Sequence, residues 1–109
     1  MDIPPDNSIC KPARERLPNK RRAETTAFER DNLKFQMTAG FYADGRIGEL
    51  FLNAGHANSL LDSLVHDGAI LLSLALQHGC TLDTIAHALK RDGRGMAATP
   101  IGAAVDLIT

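Results

Sequence analysis

The spacing of hydrophobic and polar positions changes along this chain, and the change separates a strand region from a helical region. From Leu33 to Tyr42 large apolar side chains occupy alternate positions, with polar or small residues between most of them. A period of two is typical of a strand with one buried face. Thr25, Thr26 and Phe28 just before it are strand-forming residue types. The pattern therefore predicts two neighbouring strands in residues 24–42.

Turn signals and a third apolar segment extend this region to residue 53. Asp31-Asn32 and Asp44-Gly45 are dipeptides that tolerate the positive φ angles of tight turns. The returning segment 47–53 (IGELFLN) has apolar residues at both odd and even positions. We therefore predict a three-stranded antiparallel meander whose third strand is covered on both faces.

After residue 59 the apolar period becomes helical. Asn58 or Ser59 is placed to cap a helix that begins near Leu60, because both side chains accept backbone hydrogen bonds at helix starts. The stretch Ile70–Leu76 is apolar nearly all round, which predicts a central helix buried on more than one side. Gly79 suits the left-handed position that ends a helix.

Two shorter helices are predicted after the central one. Thr81 caps a second helix, roughly from Leu82 to Lys90, and Thr99-Pro100 opens a third that runs to about Leu107. A sheet with one apolar face needs a cover, and the long helix supplies it. The predicted fold class is α+β: a three-stranded antiparallel sheet covered by a long central helix, a helical hairpin and a short C-terminal helix.

Charge and proline are concentrated at the N-terminus. The chain of 109 residues has a net charge of −1, yet residues 11–22 hold six basic residues and one acidic residue. Four of the five prolines lie in residues 1–22, and proline disfavours regular structure. We predict a flexible basic arm over 1–22, with a short extended piece at Leu17-Pro18 docked on a single domain over 23–109.

Composition limits the function classes. There is no Trp, and four Phe and one Tyr are too few for an aromatic platform for single-stranded nucleic acid. No apolar run is long enough for a membrane span, and the N-terminus lacks an apolar stretch of signal-peptide type, so we expect a cytoplasmic protein without membrane contact. Cys10 and Cys80 are expected to be free thiols. The histidines show no ligand spacing, so no metal site is predicted.

The loop from Asn53 to Ser59 is the best small-ligand candidate. It joins a strand to a helix start, where free N–H groups and the helix dipole favour an anion. Gly55, His56, Asn58 and Ser59 would contact a nucleotide or another anion there. The alternative is a tight connection with a capped helix and no ligand.

A second candidate surface would contact nucleic acid. Leu71–Leu89 resembles a helix-turn-helix, although Asp83 at the front of the second helix would repel phosphate. The basic arm could add phosphate contacts. The residues concerned are Lys11, Arg14, Arg16, Lys20, Arg21 and Arg22. The alternatives are a helical hairpin packed on the sheet and a solvated arm.

Several segments together resemble the TSCPD-type domain. They are Leu17-Pro18, the turn Asp44-Gly45-Arg46, the strand Gly48-Glu49-Leu50-Phe51-Leu52-Asn53, Gly55, the helix segment Leu72-Ser73-Leu74-Ala75-Leu76 and the hairpin Gly79…Leu82…Ile85…Leu89. The resemblance covers about residues 17–108. One feature departs from the family: the cysteine-bearing stretch expected after the hairpin corresponds to residues 91–100, which contain no cysteine.

The family occurs at the C-terminus of adenosylcobalamin-dependent (class II) ribonucleotide reductases and as small free-standing proteins. The resemblance implies the fold and a link to nucleotide metabolism. The reductase chemistry does not transfer, because the barrel that binds cobalamin and substrate lies outside the resemblance. We expect a non-catalytic accessory or regulatory protein without a cofactor, which binds a protein partner such as a ribonucleotide reductase. The sheet edge or the leucine-rich helix could support a homodimer. The alternative is a DNA-binding transcriptional regulator.

Overall fold

The computed structural model describes residues 13–55 and 59–109. Three strands are followed by three helices, as the sequence predicts. The elements are β1 (Ala23–Arg30), β2 (Leu33–Phe41), β3 (Ile47–Ala54), α1 (Leu60–Gln77), α2 (Leu82–Ala88) and α3 (Pro100–Ile108).

The strands form one antiparallel sheet in the order β1-β2-β3, which confirms the predicted meander. Asp31 and Asn32 both have positive φ, 54° and 64°, which is the backbone of a two-residue hairpin turn of type I′. Gly45 has a φ of 94° in the second turn. Both turn signals in the sequence therefore mark real hairpins.

One face of the sheet and the facing side of α1 form the core. Leu50 and Leu52 on β3 are fully buried, and Phe35, Met37 and Ala39 on β2 lie beside them. α1 contributes its own buried stripe, formed by Val65, Ala69, Leu72 and Leu76. The α+β class and the covering role of the long helix are confirmed.

Polar side chains of α1 also bond the free edge of β3. Ser73 Oγ accepts a hydrogen bond from the Leu50 N–H at 2.8 Å and lies 3.0 Å from the Leu50 carbonyl oxygen. The Gln77 amide donates to the Gly48 carbonyl at 3.0 Å, and Asp62 accepts from Ala54 N–H at 3.0 Å. These side chains take the place of a fourth strand, and they align α1 antiparallel to β3.

The two short helices close the other end of the core. The cap residues are Thr81 for α2 and Thr99 for α3, and Gly79 has a φ of 94° between α1 and α2. α2 ends at Ala88, two residues before its predicted end, and α3 ends one residue after its predicted end. Arg91 donates to both carboxylate oxygens of Asp106 at 2.6 and 2.7 Å, which fixes the loop after α2 to α3.

Two burial expectations hold only in part. On the outer face of β3, Glu49 is buried and bonded by Arg21, whereas Phe51 on the same face is 47% exposed. α1 does contact β3 on one side and α3 on another, as predicted for a helix buried on more than one side. Even so, Ile70, Leu71 and Leu74 remain exposed to solvent. The described residues therefore bury only part of the apolar surface of this helical stretch.

Candidate functional site: the leucine stripe and the strap

The most conspicuous exposed apolar surface lies on α1. Its members, which we call the leucine stripe, are Leu60, Leu64, Leu71 and Leu74. Their spacing of 4, 7 and 3 residues places them on one side of the helix. They lie opposite the buried stripe, so the helix is apolar on both sides.

The stripe is as large as the largest apolar patch of a typical monomeric protein. Leu60, Leu64 and Leu71 are 77%, 60% and 68% exposed, and Leu74 is partly exposed. Together they present on the order of 400 Å² of apolar surface, within the range of about 300–600 Å² in which the largest patch of a monomer is often functional. Asp67 lies between them and is the one charged residue along this line. The arrangement suits a partner with an apolar groove or helix face.

α1 also has the length and composition of a membrane-spanning helix, with a mean hydropathy of 1.3 over its 18 residues. However, Asp62, Ser73 and Gln77 on this helix form hydrogen bonds with backbone groups of β3, which supports the packing of α1 against the sheet. The cytoplasmic location remains a prediction.

Residues 14–21, which we call the strap, run across the end of α1 and the second hairpin. Arg14 Nε donates to Gln77 Oε1 at 2.5 Å, and Glu15 N–H donates to the Gln77 carbonyl at 2.8 Å. The Tyr42 hydroxyl donates to the Glu15 carbonyl at 2.5 Å, and burial raises the pKa of Tyr42. Arg46 holds the Glu15 carboxylate at 2.9 Å.

The other end of the strap is held by an ion pair. Arg21 donates to both oxygens of Glu49 at 2.5 and 3.1 Å, and the Glu49 bond raises the pKa of Arg21. Glu49 is buried on β3 beside Gly40, where an added Cβ would collide with the Glu49 side chain. Between the two ends, Leu17 lies against Gly48. The flexibility predicted for residues 1–22 stays a prediction, while residues 14–21 contact the domain.

Of the predicted nucleic-acid residues, Lys20, Arg21 and Arg22 line one shallow cleft beside the second hairpin. Arg14 and Arg21 are bound to Gln77 and Glu49, as described above. Arg16 and Lys20 are exposed. Arg22 lies over the Phe41 ring at 4.3 Å from its centroid. Lys11 lies outside the described residues.

The predicted anion loop is described only at its ends. His56 and Asn58 lie outside the described residues, while Gly55 N–H donates to the Lys34 carbonyl at 2.8 Å. Ser59 is the N-cap of α1, as predicted, and its hydroxyl accepts from Asp62 N–H at 3.0 Å. A cleft of about 440 Å³ lies here, lined by Lys34, Gly55 and Ser59 among others.

The electrostatics of this cleft are mixed. The Asp62 carboxylate lies at the first turn of α1, where the helix dipole already favours it. An anionic ligand would have to share this end of the helix with that carboxylate. Lys34, which also lines the cleft, carries the opposite charge.

Residues that could ligate metal or react covalently do not cluster in the part of the chain that the structure describes. No group of three or more His, Cys, Asp or Glu side chains is placed to hold a metal ion there. Cys80 is half-buried after α1, and Cys10 lies outside the described residues. Residues 91–100, where the family has cysteines, form a turn in which Asp92 Oδ1 accepts from Arg94 N–H at 2.8 Å and Met96 N–H at 3.1 Å.

The helical spacing of the leucines predicts α1 but does not show which of them are exposed. The leucine-rich helix is one of the two surfaces expected from the sequence to support a homodimer. The available signal was the number of apolar positions in Leu60–Gln77, which exceeds what one sheet face and one short helix can cover.

Comparison with known proteins supports the resemblance. The sequence profile of the TSCPD domain matches residues 10–107. A vitamin B12-dependent ribonucleotide reductase of Rhodopirellula baltica is 33% identical over 79 residues, which cover 72% of this chain and 8% of that protein. A protein of the same name from Bradyrhizobium diazoefficiens is 36% identical over 70 residues, covering 64% of this chain and 6% of that protein.

A further vitamin B12-dependent ribonucleotide reductase, from Streptantibioticus cattleyicolor, is 36% identical over 74 residues; the match covers 68% of this chain and 12% of the reductase. The chain thus corresponds to a small segment of each relative. No solved structure matches it. Since the profile spans nearly the whole sequence and the fold has the expected sheet and helices, the chain belongs to the TSCPD domain family.

Proposed function

We propose that this protein is a non-catalytic accessory or regulatory module that binds a vitamin B12-dependent ribonucleotide reductase through the leucine stripe. The exposed stripe on α1 is the observation that carries the proposal. The relatives support the choice of partner, because in them a segment similar to this chain is part of the reductase polypeptide. The domain spans 6% to 12% of three of those proteins, so we assign the chemistry to the remainder of them.

The size of the stripe sets the expected affinity. At about 25 cal/mol per Å², burying on the order of 400 Å² yields about 10 kcal/mol. Association costs roughly 4–15 kcal/mol because the two molecules lose translational and rotational freedom. The two terms are similar, so the stripe alone supports weak binding and the partner must add further contacts around it. We expect a micromolar dissociation constant.

A calorimetric titration of the full chain into purified B12-dependent ribonucleotide reductase of the same organism tests this proposal. The test variant carries Leu64→Lys and Leu71→Lys together. Both positions are exposed in the free chain, so the fold should persist, and a urea unfolding curve checks it. Two buried lysines at the interface should weaken binding by at least about tenfold.

A matched control locates the interface. Phe51→Lys places a single lysine on the outer face of the sheet, away from α1, at the most exposed large apolar residue of the described strands. We expect this variant to bind like the wild type. If Phe51→Lys abolishes binding and the double leucine variant does not, the docking surface is the sheet and our assignment is wrong. If the wild type does not bind the reductase, the proposed partner is wrong.

Nucleotide binding at Gly55–Ser59 and DNA binding remain predictions without a specific observation in their favour. Asp62 places a carboxylate at the proposed anion site, and two of the arm's arginines are bound within the domain. Thermal shifts with a nucleotide panel would reveal a ligand that binds the native state. Loss of such a shift in Ser59→Ala and Gly55→Ala would assign it to this loop.

A further inference from the structure

The sheet has two edges, and α1 bonds only one of them. Asp62, Ser73 and Gln77 bond the outer edge of β3, as described above. The outer edge of β1 has no such cover among the described residues. The Phe41 N–H donates to the Arg22 carbonyl at 3.0 Å, so Arg22 and Phe41 form a hydrogen-bonded pair of the antiparallel ladder. Every second residue after Arg22 therefore also bonds β2.

The alternate residues of β1 direct their backbone groups outward. They are Ala23, Thr25, Ala27 and Glu29. Within residues 13–55 and 59–109, no hydrogen bond to the N–H or C=O groups of these four residues is found. The free edge is therefore a row of donors and acceptors spaced for another antiparallel strand.

β1 also lacks the usual protection of an edge strand. Natural sheets block such edges with proline, bulges, short strands or central charges. β1 has eight residues, contains neither proline nor glycine, and pairs with β2 without a register shift. Its centre, Thr25-Thr26-Ala27, is uncharged and exposed.

We propose that β1 pairs antiparallel with β1 of a second copy of this chain, so that the two sheets join into one continuous sheet around a two-fold axis. This inference goes beyond the proposed function, because it concerns the free chain and uses a surface separate from the leucine stripe. The charges along β1 favour a second copy, since the strand is complementary to itself in one register.

The backbone limits the possible registers. Outward-facing residues must pair with outward-facing residues, so odd positions between 23 and 29 pair with odd positions of the partner. A two-fold axis at Ala27 pairs Ala27 with the partner's Ala27 and Thr25 with the partner's Glu29. Each facing pair exchanges two backbone hydrogen bonds.

Charge selects this register over its neighbour. With the axis at Ala27, Glu24 lies opposite the partner's Arg30, and symmetry repeats this pair at the other end of the strand. With the axis at Thr26, Arg22 would lie opposite the partner's Arg30. Opposite charges across strands are favourable and like charges are unfavourable. Both registers overlap seven of the eight residues of β1, so charge decides between them.

Sedimentation equilibrium of the full chain over a concentration series tests this proposal. We expect a dimer of the 11.8 kDa chain. Ala27→Lys places two lysines directly opposite each other at the axis and should weaken dimerisation by at least about tenfold. In the monomer the new side chain faces the uncharged Gln36 of β2. Gln36→Lys is the control, one strand inside the edge, and should leave the dimer unchanged.

Charge complementation makes the test specific. Ala27→Glu should also be monomeric, and mixing it with Ala27→Lys should restore a dimer, because the opposed charges then attract. A wild-type monomer at all concentrations would overturn the proposal. A dimer that survives Ala27→Lys but dissociates in the Leu64→Lys, Leu71→Lys variant would also overturn it, because that dimer would form through the leucine stripe.

Hydrogen exchange provides a second measurement that does not depend on these variants. In the dimer the outward N–H groups of Thr25, Ala27 and Glu29 should be protected, and dilution to the monomer should remove this protection. Exchange at these amides that is fast and independent of concentration, in a chain that sediments as a dimer, would contradict the strand pairing.

Discussion

Replacing Ser73 with alanine tests whether α1 completes the edge of β3. The Ser73 hydroxyl oxygen accepts from the Leu50 N–H at 2.8 Å, and it lies within hydrogen-bond distance of the carbonyls of Leu50 and Ala69. Leu50 is fully buried. Alanine fits the same space but leaves the N–H of the fully buried Leu50 without this acceptor.

The magnitude follows from two opposing terms. A buried polar group left without a partner costs about 1–3 kcal/mol. Alanine is a better helix former than serine by about 0.5 kcal/mol, which offsets part of this cost. We expect Ser73→Ala to lower the free energy of unfolding by about 1–2 kcal/mol.

Urea unfolding followed by far-ultraviolet circular dichroism measures this change, and Ser63→Ala is the matched control. Ser63 is exposed on the same helix, so its replacement changes the helix propensity alone and should be neutral or stabilising by about 0.5 kcal/mol. Equal unfolding midpoints for the two variants would refute the bonding of the β3 edge by α1.

Three further predictions concern the strap, acid stability and DNA. Glu49→Gln should speed tryptic cleavage in the strap, whereas Glu29→Gln on exposed β1 should not; equal rates would contradict the Arg21 anchor. The hydrogen bond from Arg91 lowers the pKa of Asp106 in the folded protein. This bond therefore stabilises the fold above the pKa of Asp106 in the unfolded chain, which is near 4, and the stabilisation is lost as pH falls through its pKa in the folded protein. Asp106→Asn should therefore flatten the acid side of the stability curve. A gel shift with random duplex at low salt should show no tight binding; a tight, steeply salt-dependent shift would support the DNA-binding alternative.

The local signals in the sequence were sufficient for the order and type of the elements. Alternation over Leu33–Tyr42, the turn dipeptides and the cap residues Ser59, Thr81 and Thr99 each reflect interactions between near neighbours in the chain. Such interactions are visible in a single sequence because the spacing itself encodes the geometry.

Long-range polar contacts were not visible in this way. Arg21 and Glu49 are 28 positions apart, and Glu49 can be buried because Gly40 leaves room beside it. Ser73 and Gln77 look like interruptions of an apolar helix until the edge of β3 is placed beside them. Their common face with Asp62 was the one available hint.

The leucine stripe illustrates a different limit. Apolar residues at helical spacing indicate that one side of a helix is buried. They do not indicate whether the surface that buries it belongs to the same chain or to a partner. Leu72 and Leu71 are neighbours in sequence, yet the first is buried and the second is 68% exposed. The difference in exposure between Leu71 and Leu72 depends on where the sheet and α3 pack against α1.

Leucine-methyl NMR of the full chain during titration with the B12-dependent ribonucleotide reductase tests the central claim most directly. We expect the methyl signals of Leu60, Leu64 and Leu71 to shift or broaden first, while those of the fully buried Leu50 and Leu52 stay in place. Saturable binding that leaves the stripe methyls unchanged would contradict the assignment of α1 as the docking surface.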